Sequence, residues 1–361
     1  MRRTPALIVG GGPAGAAAAI VLARARAPHL LVERTRETGD ALCGGFLSWQ
    51  TLRTLAELGI AADTLSPARL SRVRIVAGHR QIEAALPAPA VSVSRHRLDT
   101  VMLAHAVATG AAVERGVAVR SIDAREARTA DGAPIAADTL FLASGKHDIR
   151  GTARPEDARG RDPTLGLRVR LAPSPALTRL VNDAVELHLF RGGYAGIALQ
   201  EDGSANVCMA VHRSRMQAAG GPAALLRALG DALPHLGERL ASWDGSAPDA
   251  IANVPYGWRA RSTAAGVFRL GDQAAVIPSL AGEGMGIAIA SGCSAAAAHL
   301  HGGSAERWQP AFARSVAPPM LAAGTLRRLA ESRAAPALLP LLRPSLIRIS
   351  ADATRIVRVI A

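Results

Sequence analysis

Three groups of residues have types and spacings that suit chemistry. The first is Gly10, Gly12 and Gly15 in "ALIVGGGPAGAAAAIVLAR", which match the pattern G-x-G-x-x-G between a short aliphatic strand and an Ala-rich helix. In that context the first glycine permits a tight turn. The second lets a pyrophosphate approach the backbone, and the third brings helix against strand. The helix N-terminus then offers its partial positive charge to phosphate. A second strand, "HLLVE", ends in Glu33, 18 residues after Gly15. An acid there binds a ribose 2′-OH and disfavours a 2′-phosphate, which excludes NADP from this cradle. Arg34, next in the chain, is a further candidate contact. FAD and NAD both use such a cradle, and the fingerprint leaves the two open.

The second group lies near the far end, in "GVFRLGDQAAVIPSLAGEGMGIAIASG" (266–292). Asp272 ends a strand, where it can accept a hydrogen bond from a sugar-like hydroxyl. Gly282, Gly284 and Gly286 leave backbone N–H groups uncovered at a helix start. Such donors suit an electron-rich ring that becomes anionic on reduction. The third group is "LCGGFLS" (42–48), with Cys43 before Gly44 and Gly45. It fits half of a metal site, a turn with a packed thiol, or a loop that approaches a cofactor. Cys43, Cys208 and Cys293 are far apart and form no CxxC or Cys/His cluster. Neither a disulfide framework nor a zinc site is supported, no metal is expected, and the metal reading of this loop falls. A reducing cytoplasm is the expected compartment.

Together these segments resemble the flavoprotein family that includes geranylgeranyl reductases, FixC-type dehydrogenases and, more distantly, aromatic hydroxylases. Two further segments carry the resemblance. "SRHRLD" (94–99) is similar to the family's Arg-x-x-Leu/Phe-Asp element, and "ADTLFLASGKHDIRG" (137–151) to its strand-then-Gly segment. The resemblance implies FAD as cofactor. It implies that Asp272 binds the ribityl chain, that Pro278, Gly282, Gly284, Met285 and Gly286 lie against the isoalloxazine, that Arg95 reaches the cofactor, and that Gly145 closes the adenine side. "LCGGFLS" then resembles the reductase element that passes beside the ring, with Gly44 and Gly45 as backbone lying flat on it. Cys43 there tunes the flavin or donates a proton near N5, or is an inert thiol.

The family performs two chemistries: hydride transfer between the flavin and a C=C bond, and insertion of oxygen. Ser144 stands where aromatic hydroxylases carry an aspartate, and "GEGMGIAIASG" is closer to the reductase branch. The reductases' Tyr-x-Trp-x-Phe-Pro element is replaced by "YAGIALQ" (194–200), which removes the expected isoprenoid wall. Tyr194 is a candidate proton donor or a structural tyrosine. Glu283 is a candidate acid or a helix cap. Lys146 is the only lysine among 42 basic residues; it marks a site needing a compact, deprotonatable charge, or a chance survivor of an Arg-for-Lys bias. The expected function is an FAD-dependent oxidoreductase acting on a hydrophobic small molecule (polyketide-, terpenoid- or lipid-like, free or carrier-bound), leaning to C=C reduction or dehydrogenation. NAD(P)H, if used, binds transiently, because no second fingerprint is present. The alternatives are a monooxygenase of secondary metabolism and an electron-transfer flavoprotein serving a membrane quinone.

These residues need a scaffold, and 361 residues with 49% apolar composition suffice for two domains. The expected class is α/β. It comprises a discontinuous Rossmann-like FAD-binding domain (1–75, 92–152 and 262–312), an inserted antiparallel β-sheet substrate domain (76–91 and 153–261), and a C-terminal helical segment (313–361). A helix over 222–240 should support the inserted sheet. "MRR" before an apolar run imitates a signal peptide, but the glycine fingerprint interrupts that run, so the segment is expected to stay. The formal charge of +13 reflects coding bias or an anionic partner. Only 3% of residues are aromatic, which leaves little for stacking on single-stranded nucleic acid, and no nucleic-acid partner is expected. The tail "LRRLAESRAAPALLPLLRPSLIRISADATRIVRVIA" alternates arginines with aliphatic runs. It is a basic amphipathic surface for peripheral membrane contact, or a set of helices packed on the FAD domain.

Overall fold

The computed structural model describes residues 2–356; Met1 and residues 357–361, the end of the expected C-terminal segment, lie outside that range. Two sheets organise the chain. The first has the order Ala112–Arg115, Leu30–Glu33, Arg2–Val9, Pro134–Leu142, Glu126–Thr129, Val119–Asp123, and Val267–Arg269 joins it beside Pro134–Leu142. Its central strands run parallel, with Val9 level with Val32 and Leu142. Leu7, Ile8 and Leu31 are buried, as expected of parallel strands covered on both faces. The α/β class and the return of the chain's far end to the first sheet agree with the sequence reading.

The Ala-rich helix Pro13–Arg24 crosses one face and packs on Gly284–Leu300. Small residues make the contact close. A Cβ on Gly292 would stand 2.2 Å from the carbonyl oxygen of Ala14, and one on Gly15 would stand 1.9 Å from that of Gly10. The signal-like apolar run is therefore a core helix, buried from Pro13 to Ile20.

The second sheet runs Asp249–Val254, Thr164–Leu171, Ala205–His212, Gly193–Leu199, Ala184–Phe190, Leu70–Ala77, Arg80–Ser92, Phe46–Leu47. The strand-like segments "RVRIVA", "LGLRVRL", "VELHLF", "YAGIAL" and "ANVCMAV", which the sequence assigns to the inserted sheet, all lie in it. Two points differ from expectation. The strand Leu70–Ala77 belongs wholly to this sheet, so the chain enters it before residue 75. The sheet is also mixed, because Ala184–Phe190 pairs in parallel with Leu70–Ala77. The parallel pair follows from the insertion: the two strands reach the sheet by separate routes, and no hairpin forces them to oppose.

Alternation divides this sheet between two environments. Leu167, Val169, Ile197, Val207 and Met209 pack with Leu225, Leu226 and Leu229 under the helix Pro222–Ala232. That helix stops at Leu233, and Pro234–Leu240 continues as a separate one, because Pro234 supplies no N–H to carry the first onward. On the same side, Glu186 is wholly buried among His188, Arg74 and Arg239. Burial opposes its charge, but bonds and charge from His188 and Arg239 prevail and hold its carboxyl at about 2. The alternate residues Tyr194, Gly196, Ala198, Cys208, Val185 and Leu187 face the first domain across a cleft. Helices Ala317–Ala330 and Pro344–Ala353 close that cleft from the C-terminal side.

Candidate active site

A single cleft of about 1400 Å³ runs from the glycine fingerprint to the C-terminal helices. Pockets for one drug-sized ligand span roughly 300–1,000 Å³, so this one has room for a dinucleotide and a second molecule. At one end, Gly10 has φ +109°, and a Cβ there would lie 2.4 Å from the Ala143 carbonyl oxygen. No side chain caps the helix Pro13–Arg24, so its first N–H groups remain available to an anion. The Glu33 carboxylate is oriented by the Gly11 N–H at 2.7 Å and the Thr35 N–H at 3.0 Å. Arg34 lies against His147, with Nη2 3.0 Å from its Nε2. Arg95 grips Asp99 through two bonds of 2.9 and 2.7 Å, and its guanidinium lies 3.3 Å from where a Gly12 Cβ would be. It therefore covers the backbone that a pyrophosphate must approach.

In mid-cleft, Lys146 Nζ is 3.1 Å from the Asp272 carboxylate. That charge raises the lysine above its ordinary range, so it stays a cation and not a base. Its loop is held from behind: Gln273 donates to the carbonyls of Gly145 at 2.9 Å and His147 at 3.0 Å, and Arg154 donates to that of Lys146 at 2.6 Å. The Ser144 hydroxyl donates to the His147 carbonyl at 2.8 Å.

The glycines of the two remaining loops have different reasons for being glycine. Gly44 and Gly284 have open space where a Cβ would point, whereas a Cβ on Gly45 would meet the Val93 carbonyl oxygen at 2.7 Å. Gly282 is left-handed at φ +66° and would strike the Phe46 ring at 2.7 Å. Gly286 would meet the Glu283 carboxylate at 2.5 Å. Gly44 and Gly284 thus leave room for a ring, and the others serve packing. The helix Gly284–Leu300 has no side-chain cap either, so its first N–H groups also stay uncovered. Met285 is part of the cleft wall, whereas Pro278 precedes the turn Ser279–Ala281 and is not among the cleft-lining residues.

Glu283 does not cap that helix. Its buried carboxylate turns away to Arg355 and to the Ile356 N–H at 3.4 Å. Arg355 in turn sits over the rings of Trp49 and Phe46, at 5.3 and 5.7 Å. So engaged, Glu283 pins the loop 278–286, the flavin loop that the resemblance implies, to the C-terminal helices. Cys43 lines the cleft, and its carbonyl accepts from Asn206 Nδ2 at 2.9 Å. The Cys208 thiol, also in the cleft, is pushed up to about 12 by burial and is not a thiolate. Arg168 fastens the Cys43 loop to the second sheet, bonding Asp40 at 2.7 Å and Asp249 at 2.6 Å.

Tyr194 points from the second sheet into the cleft and hydrogen-bonds the Ser279 hydroxyl. Tyr256 reaches the same hydroxyl at 2.5 Å, and the Arg327 guanidinium lies 4.7 Å above its ring. Burial raises both phenols above their ordinary value, so both keep their protons. The chain has only two tyrosines, and they meet at one serine of the flavin loop. Tyr256 and Ser279 were missed in the sequence because Tyr256 lies in an irregular connection. The scarcity of tyrosine was the available signal.

Residues 3–150 match the model of an FAD binding domain family. A search of curated proteins found no match. A flavoprotein/dehydrogenase from Cytophaga hutchinsonii is similar in structure with TM-score 0.80 and 16% identity, over 98% of this chain and 92% of that one. PqsL from Pseudomonas aeruginosa, described as a probable FAD-dependent monooxygenase, gives TM-score 0.71 and 17% identity over 94% and 100%. The flavin-dependent brominase Bmp2 gives 0.71 and 16% over 98% and 94%. The cofactor is FAD, and the orphan N–H groups, the Glu33 carboxylate and the space above Gly44 and Gly284 fit it. The narrower likeness to geranylgeranyl reductases is not part of this match.

Proposed function

We propose that this FAD-dependent oxidoreductase is a monooxygenase that inserts oxygen into a neutral, hydrophobic small molecule. The observation that carries the reading is the Tyr194–Ser279–Tyr256 cluster in a wall otherwise built from residues such as Val73, Ile75, Leu187 and Leu189. Such a wall excludes water, and the hydroxyl cluster offers one place to bind an oxygen function of the substrate. Structural likeness to PqsL, which has also been solved with 2-aminobenzoylacetate, supports oxygen insertion over the C=C reduction toward which the sequence leans.

When bound, FAD supplies the two-electron and oxygen chemistry. The protein's part follows from its residues. The N–H groups after Gly12, with Arg95, would hold the pyrophosphate, and Glu33 the ribose. Asp272, with Lys146 beside it, would hold the ribityl chain. N–H groups at Gly284–Gly286 would face the ring where negative charge collects. Tyr194 would hold a proton at its phenol oxygen, backed by Ser279 and Tyr256. NAD(P)H would dock transiently at the ring face.

A second reading, reduction of a C=C bond, is favoured by one observation: Ser144, not an aspartate, follows Ala143 and bonds within its own loop. The same phenols would then protonate the carbon that does not receive hydride. To decide, reduced protein is mixed in air with aryl ketones, phenols and polyenes, and the product is weighed. A gain of one oxygen is expected. A gain of two hydrogens, or of a halogen when bromide is supplied, would overturn the monooxygenase reading.

A further inference from the structure

We infer that the C-terminal helices form a docking surface for an anionic lipid bilayer, placed at the mouth of the cleft. Among the described residues, nine large apolar side chains are exposed, and seven lie between Leu321 and Ile349. Leu341 is 72% exposed, Ile349 63% and Leu346 49%. Five of the seven (Leu329, Leu338, Leu341, Leu342 and Leu346) also line the cleft. The greasy surface and the mouth of the substrate cavity are thus one feature.

Charge selects the occupant. Arg328, Arg333, Arg343 and Arg348 are exposed on the same segment and make no ion pair with any described residue. Glu331 and Asp352 are the only acids from 317 to 356. The Glu331 carboxylate is already taken by Arg327 at 2.6 Å and His212 at 3.0 Å. Exposed leucines flanked by unpaired arginines suit a surface that is apolar inside and anionic at its rim, which is the profile of a bilayer interface. A polyanion such as nucleic acid would satisfy the arginines and leave the leucines in water. No described helix is long and apolar enough to cross a membrane, so the contact is at the interface. A hydrophobic substrate dissolved in the bilayer would then reach the cleft without passing through water. This inference does not depend on which reaction runs there.

The test is flotation of FAD-loaded full-length protein with phosphatidylcholine vesicles, with and without phosphatidylglycerol, read without turnover. Binding to the anionic vesicles and not the neutral ones is expected. Arg343→Gln and Arg348→Gln should each weaken it about fivefold, as each arginine near an anionic surface contributes. Ile349→Asp, outside the cleft lining, should weaken it at least about tenfold by adding a buried charge while the bound flavin spectrum stays unchanged. Binding to neither vesicle, equal binding to both, or self-association through this face in place of vesicle binding overturns the inference.

Discussion

Substitution of Arg355 by methionine tests whether the C-terminal helices latch the flavin loop. The guanidinium is 7% exposed and its partner Glu283 1% exposed. Removing one member of such a pair leaves a buried charge without compensation, a loss of about 3–5 kcal/mol. The loss should fall on the contact between the C-terminal helices and the flavin loop. At about 1.4 kcal/mol per decade, the latch equilibrium moves by about two to three and a half decades toward the open form. The sign with pH follows from Glu283. Burial already raises its carboxyl above the ordinary value, and Arg355 works against that rise. Without Arg355 the folded-state pKa climbs further. The destabilisation is then full above that raised value and relieved as pH falls and a proton replaces the arginine. Limited proteolysis near Pro344 and FAD fluorescence at pH 8 and pH 6 are the assays. Arg355→Met should be cut faster and release flavin at pH 8, and recover in part at pH 6. Glu283→Gln combined with Arg355→Met should resemble the parent. Parent-like behaviour of the single variant at both pH values would refute the latch.

Asp272→Ala should purify nearly colourless, and retention of full yellow flavin would contradict the cofactor geometry. Tyr194→Phe should lower kcat by about 10²–10⁴-fold if its phenol carries a proton in the reaction. Tyr256→Phe should cost less, since Ser279 stands between it and Tyr194. Because both phenols are raised by burial, the parent's rate should show no alkaline limb from this cluster below pH 9; a limb there that vanishes in Tyr194→Phe would argue against the assignment. Glu186→Gln should lose about 3 kcal/mol of stability at pH 7, from a folded value of about 2 against an ordinary 4.5. This carboxyl's contribution is complete above the ordinary value and disappears as pH falls through the folded one. The gap between parent and variant in urea unfolding should therefore narrow toward pH 3, and a constant gap would count against it.

How much was legible from the sequence followed from the range of each interaction. The Gly10 turn and the Glu33 strand end are local patterns and stand where the sequence places them, whereas Asp272, expected to end a strand, lies in the short helical turn Gly271–Gln273 that follows the strand Val267–Arg269. Alternation and β-rich runs marked the strands of the second sheet, "RVRIVA" among them, but not the parallel pairing of Leu70–Ala77 with Ala184–Phe190, which depends on the route the chain takes between them. Glu283 reads as a cap because an acid precedes a helix. Only a contact 72 residues away, from Arg355, turns it elsewhere. The Arg168 clasp on Asp40, across 128 residues, and the meeting of Tyr194 with Ser279 across 85 are likewise invisible to periodicity.

The contact between helices Pro13–Arg24 and Gly284–Leu300 has a consequence for cofactor choice. One helix starts at the phosphate end of the cleft and the other at the ring end, and they meet through alanines and glycines with almost no side chain between them. Long side chains can repack to let two helices slide; backbone in contact with backbone does not give. The two uncapped helix starts are therefore held at one separation, as marks on a rule. A flavin that carries an adenylate would span both marks, and a shorter mononucleotide would reach only one. Selection of FAD over FMN would then come from length, before any side chain recognises the adenine.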